Sequence, residues 1–156
     1  MKLTEHFSLE ELTHSNKAKQ LGIENKPSED EVLRLINLCK NVLEPLRARV
    51  SKPINVSSGF RNEQLNQAVG GVKESQHRRG EAADVSVESW TARQLIGELL
   101  KANIDFDQAI DEADFDKGDF WLHVSYTKRR PNRRETKRII IEGGVKTTLP
   151  FHGDAA

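Results

Sequence analysis

The chain has 156 residues, enough for one domain, and balances 24 Lys and Arg against 24 Asp and Glu. Zero formal net charge excludes whole-chain attraction to nucleic acid or an anionic membrane, and no run approaches the roughly 20 apolar residues that span a bilayer. Cys39 is the lone cysteine, which excludes an internal disulfide and an all-cysteine zinc site; a metal would fall to carboxylates and to His6, His14, His77, His123 and His152.

In chain order, the first twelve residues have no apolar h-region and carry three glutamates, so no secretory signal is expected. Ser8-Leu9-Glu10-Glu11 is a capping box and predicts a short helix. Residues 13–27 read as a polar loop ending at Lys26-Pro27. Ser28 to Glu31 forms a second capping box. Behind it Val32, Leu35, Ile36, Cys39, Val42, Leu43 and Leu46 recur at helical spacing, predicting one amphipathic helix over 29–49 with Pro45 weakening its last turn. From Pro53 the period drops to two. A strand is predicted at 54–57, stopped by Gly59, then a short helix at 62–69 before Gly70-Gly71, and a second strand at 82–87. Thr91 to Gln94 is a third capping box and opens another helix, and strands follow at 106–112, 120–126 and 138–142. This order predicts a single α+β domain over 1–145, with a mostly antiparallel sheet flanked by helices, and a mobile C-terminal tail at 146–156.

The chemistry concentrates in Ser75-Gln76-His77-Arg78-Arg79-Gly80-Glu81-Ala82-Ala83-Asp84. A histidine sits in a turn, and an aspartate follows on a strand that is otherwise small and apolar. A carboxylate there needs a partner, because burying it unpaired is costly. Later, Phe120 to Tyr126 places His123 in an aromatic-rich strand. Two imidazoles and a carboxylate suffice for a catalytic zinc with one position left open. Each residue alone also reads as a loop histidine, a core histidine or a salt-bridge carboxylate.

The combination resembles the M15 family of zinc metallopeptidases, the D-alanyl-D-alanine carboxypeptidase and L-alanyl-D-glutamate endopeptidase group. The matching segments are Ser75-x-His77-x-x-Gly80-x-Ala82-x-Asp84, Trp121-x-His123 and Ser57-Ser58-Gly59-Phe60-Arg61. Phe7-Ser8-Leu9-Glu10-Glu11-Leu12 and Phe106-Asp107-Gln108-Ala109-Ile110-Asp111-Glu112 resemble the small phage and prophage members. The resemblance covers roughly residues 3–142. It implies a fold like that of the D-Ala-D-Ala carboxypeptidases and hedgehog proteins. It also implies Zn²⁺ on His77, Asp84 and His123, with Arg61 holding the scissile carbonyl oxygen or a substrate carboxylate. Many members carry a glutamate three residues before the last zinc histidine, where this chain has Phe120. Glu112 matches the glutamate that small phage-type members carry on the preceding strand, and it is the expected general base. Asp119, four residues before His123 and on its face by parity, is the rival, with Asp111 behind it. Ser75, Gln76, Gln108, Trp121 and Ser125 are the expected substrate-binding or supporting residues, with Asp107 a further support.

Charge is segregated along the chain. Residues 105–119 hold seven acids and one base, and residues 128–138 hold seven bases and one acid. The basic run lacks the aromatics or recognition-helix pattern of a nucleic-acid site, so no nucleic-acid partner is expected. The resemblance implies a peptidase of peptidoglycan stem peptides, L-Ala–D-Glu endopeptidase ahead of D-Ala–D-Ala carboxypeptidase, of the phage or prophage lysis type. The same resemblance implies a monomer made in the cytoplasm without stable membrane insertion, reaching the wall after release or through a holin. A zinc-containing wall-binding module without hydrolytic activity is the alternative.

Overall fold

A computed structural model of the protein describes residues 1–153. Helices α1 (Leu9–Thr13), α2 (Asn16–Leu21), α3 (Glu29–Leu38) and α4 (Glu44–Val50) precede strand β1 (Asn55–Ser58). Then come α5 (Glu63–Ala68), α6 (Gln76–Arg79), β2 (Ala82–Ser86), α7 (Ala92–Lys101), β3 (Gln108–Asp114), β4 (Asp119–Ser125), β5 (Glu135–Glu142) and β6 (Val145–Pro150). The predicted α+β class holds. The described residues form one six-stranded sheet in the order β1-β2-β4-β3-β5-β6. Every neighbouring pair is antiparallel except β3 with β5, which run parallel.

Alternation along the strands decides which face is chemical. Leu122 and Val124 of β4, with Ala83 and Val85 of β2, enter a core shared with Leu35, Leu38, Leu43, Leu46, Leu95 and Leu99 of the helices. Trp121 and His123 therefore fall on the opposite face. The three capping boxes form as expected, at Ser8, Ser28 and Thr91.

Three local differences have physical causes. Ser15 caps α2 inside the expected loop, by accepting from the Ala18 N–H, and Gly22 ends it in the left-handed region. A six-residue helix is too short to display a period. The long helix is interrupted by a π turn at Cys39–Leu43, where the Glu44 N–H reaches back to the Cys39 carbonyl. Pro45 lacks an N–H and its ring crowds the carbonyl four residues back, so the helix widens there rather than fraying at its end. Finally, residues 145–150 are not a tail: they form β6, which pairs with β5 from Lys137↔Pro150 to Glu142↔Val145. All six of its residues are exposed, so no buried stripe marks it in the sequence. The last three residues of the expected tail lie outside the described range. Among the described residues, no helix is long and apolar enough to cross a membrane.

Candidate active site

β2 and β4 set the first two groups. Asp84 and His123 are direct cross-strand partners, and Asp84 Oδ1 lies 3.2 Å from His123 Nδ1. His77 comes from α6, a single turn capped by Ser75, whose Oγ accepts from the His77 backbone N–H at 3.2 Å. Gly80 ends that turn at φ +77, and a Cβ there would stand 2.8 Å from the Glu31 carbonyl oxygen, so the turn needs glycine on two counts. His77 Nε2 then lies 3.3 Å from Asp84 Oδ1. The rings of His77 and His123 meet edge to face at 5.1 Å between centroids.

Hydrogen-bond polarity fixes what these atoms are. His77 Nδ1 is 2.7 Å from the Gly59 carbonyl oxygen, which only accepts, so Nδ1 carries the proton and Nε2 presents a lone pair. Gly59 can lie this close because it has no side chain: a Cβ would sit 2.3 Å from the Leu12 carbonyl oxygen. His123 Nε2 donates to Gln76 Oε1 at 2.9 Å, which leaves its Nδ1 with the lone pair. Two imidazole lone pairs and a carboxylate oxygen thus converge within 4.8 Å with no hydrogen between them. That donor set fits a divalent cation. Zinc–ligand bonds of about 2.0–2.1 Å in a tetrahedron put ligand atoms about 3.3 Å apart, against the observed 3.2 and 3.3 Å.

Glu112 shares the sheet face. Register places Ile110 opposite His123 and Glu112 opposite Trp121, so Glu112 is the diagonal neighbour of His123 rather than its direct partner. Its Oε2 accepts from the Trp121 indole N–H. Burial raises the Glu112 pKa and Asp84 adds to the rise, with His123 and Trp121 pulling the other way. Arg61 is tied to the site twice: its backbone N–H donates to the His77 carbonyl at 3.0 Å, and Nη2 donates to Ser75 Oγ at 3.3 Å. Its Nε is buried without a hydrogen-bond partner. All of these groups line one cleft of about 600 Å³.

The two rival bases sit elsewhere. Asp119 is exposed at the hairpin end opposite Asp114. It shares His123's parity, but four residues along a strand is about 13 Å. Asp111 points to the other face and pairs with Arg138 at 3.0 Å. Ser75, Gln76, Gln108 and Trp121 line the cleft, whereas Ser125 does not. Ser125 is wholly buried, and its Oγ accepts from the Gln108 backbone N–H at 3.0 Å. His6 is held by Glu44 at 2.6 Å, and His14 and His152 are exposed.

The sequence reading offered Asp107 as a support of the site but gave no role there to the arginines after β4. Arg129, Arg130 and Arg133 line the cleft, as do Ile139, Ile141 and Lys146 of β5 and β6. The acidic and basic segments meet because β3 and β5 are neighbours. Asp107 pairs with Arg130 and Arg133, and Asp111 with Arg138.

A family model described as Peptidase M15 matches residues 5–124, a span that holds His77, Asp84, Glu112 and His123. The chain belongs to the Peptidase M15 family. Membership implies a metallopeptidase, and the His–Asp–His donor set suits that chemistry. No curated protein matches the chain. The matched span of this M15 peptidase ends at β4, so the cleft wall built by β5 and β6 lies beyond it.

Proposed function

We propose that this protein is a zinc-dependent peptidase of peptidoglycan stem peptides. The observation that carries the reading is the convergence of His77, Asp84 and His123 in one cleft with Glu112. The L-Ala–D-Glu endopeptidase reaction is favoured over D-Ala–D-Ala carboxypeptidase action. The cleft supports that choice, because its lining takes in Gly70-Gly71 after α5 and Ile141 and Lys146 of β5 and β6 as well as the triad. A chain cut internally needs room on both sides of the scissile bond. Phage or prophage lysis, with action at the cell wall, is the setting that the resemblance to small phage members suggests.

His77, Asp84 and His123 would hold the ion, which when bound supplies Lewis acidity toward a water molecule and the scissile carbonyl. Glu112 then takes the proton of the attacking water and returns it to the leaving amine. Burial and Asp84 raise its pKa, which strengthens it as a proton acceptor. Trp121 holds the Glu112 carboxylate in one orientation. Arg61 places a fixed guanidinium beside the triad, where it meets the charge that builds on the carbonyl oxygen or a substrate carboxylate.

Digestion of purified peptidoglycan by zinc-loaded protein, with the new termini identified by mass spectrometry, tests this reading. New L-alanine carboxyl ends are expected. Released D-alanine would move the assignment to a carboxypeptidase, and no new ends on any wall chemotype would leave a wall-binding module.

A further inference from the structure

Asp107 is fully buried and touches neither the triad nor Glu112, yet it is densely partnered. It accepts from Gln76 Nε2 at 3.0 Å and from both terminal nitrogens of Arg130 at 2.7 and 3.0 Å. It also accepts from the backbone N–H, Nε and Nη2 of Arg133 at 3.0, 3.1 and 2.8 Å. A carboxylate beside two guanidinium groups only accepts, so Gln76 must turn its NH₂ toward it. The Gln76 oxygen is thereby turned toward His123, and that oxygen also only accepts, so His123 carries its proton on Nε2. The lone pair is left on Nδ1, beside Asp84. A flipped amide would set the NH₂ against the His123 N–H and oxygen against oxygen at Asp107.

We infer, on the zinc reading above, that Gln76 positions the metal-binding edge of His123 and that Asp107, clamped by Arg130 and Arg133, fixes the Gln76 amide that does so. These are positioning residues and touch no reacting atom. His77 needs no such device, because its partner is the Gly59 backbone carbonyl. Both clamping arginines lie in the basic run at 128–138, beyond the residues matched to the family, which gives that run a task at the metal site.

Zinc affinity, measured by chelator competition on the full chain, tests this together with the thermal stability of the metal-free protein. Gln76→Met keeps the length and removes the acceptor. It is expected to weaken zinc binding about 10–100-fold, the usual cost of losing a group that orients a ligand. Gln76→Glu restores an acceptor for His123, and together with Asp107→Asn, which removes the opposing carboxylate, it is expected to recover most of that loss. In metal-free protein at alkaline pH, nitrogen NMR should find His123 protonated on Nε2 in the parent and mixed between tautomers in Gln76→Met. If the parent binds zinc and Gln76→Met, with unchanged metal-free stability, binds it equally well, the inference is overturned. Should Gln76→Met fold poorly, the paired Gln76→Glu and Asp107→Asn variant decides: parent-like zinc affinity and an Nε2–H His123 support the role, and a large loss of affinity in the stably folded pair overturns it. A parent protein that binds no zinc would instead sink the zinc reading itself.

Discussion

Trp121 donates its indole N–H to Oε2 of Glu112, the residue directly across the β3–β4 hairpin from it. One strand pair thus supplies a histidine of the His–Asp–His cluster, a carboxylate and the donor that orients the carboxylate. Trp121→Phe keeps the ring and removes the N–H. The loss of one hydrogen bond to a charged group should lower kcat about tenfold. That bond also lowers the Glu112 pKa, so removing it should move the acid limb of the kcat/KM profile to higher pH. A pH series on stem-peptide substrate checks both, and an unmoved acid limb would separate Trp121 from Glu112.

Glu112→Gln should reduce hydrolysis by about 10²–10⁴-fold, the range expected of a lost proton-transfer group. Stability should change in the opposite direction. Burial, with Asp84, raises the Glu112 pKa in the metal-free fold above the ordinary glutamate value of 4.5. Where the unfolded chain is ionised and the fold resists ionisation, the carboxylate destabilises the fold. Above that pH the glutamine variant should therefore melt at a higher temperature than the parent. The difference should close as pH falls below 4.5, where the glutamate is neutral in both states. Paired melts across pH in the presence of a chelator measure this.

The triad was legible because its residues lie in short segments that carry their own turn and strand signals. Ser75 and Gly80 bracket the His77 turn, and Asp84 stands out in a small apolar strand. Glu112 was legible as a candidate, but its rank over Asp119 depended on register and on distance along β4. How the groups around the triad connect to one another was not legible. Gln76, Asp107, Arg130 and Arg133 are joined across 23 to 31 residues by the neighbouring of β3, β4 and β5. No periodicity encodes such contacts. Ser125 shares the parity of His123 but lies deeper, so alternation gave its face and not its depth. Strand β6 escaped because both its faces are exposed, which leaves an edge strand without a hydrophobic pattern.

Asp107→Ala should destabilise the fold by about 3 kcal/mol, the lower end for breaking a buried ion pair, because both guanidinium groups reach solvent. Burial opposes the charge of Asp107, but Arg130 and Arg133 outweigh it and hold the pKa below the usual carboxylate range. Its contribution is present above the unfolded-state pKa and is lost as pH falls toward the lower folded value. Denaturant melts of parent and variant should therefore converge in acid. A constant difference at all pH values would mean that packing, not charge, sets the effect.

Cys39 should resist thiol reagents in the native protein. Burial raises its pKa to about 12, and Glu44 and Glu11 add to the rise, so the reactive thiolate is scarce at neutral pH. Labelling with a thiol-reactive dye should follow global unfolding in denaturant. Rapid labelling under native conditions would mean that the π turn at Cys39–Leu43 opens locally.

Zinc-dependent release of new peptide termini from peptidoglycan tests the central claim most directly. Protein stripped by chelator should release none, and one equivalent of zinc per chain should restore release in the parent but not in His77→Ala, Asp84→Ala or His123→Ala. Undiminished hydrolysis by the stripped parent or by any of these variants would contradict the account.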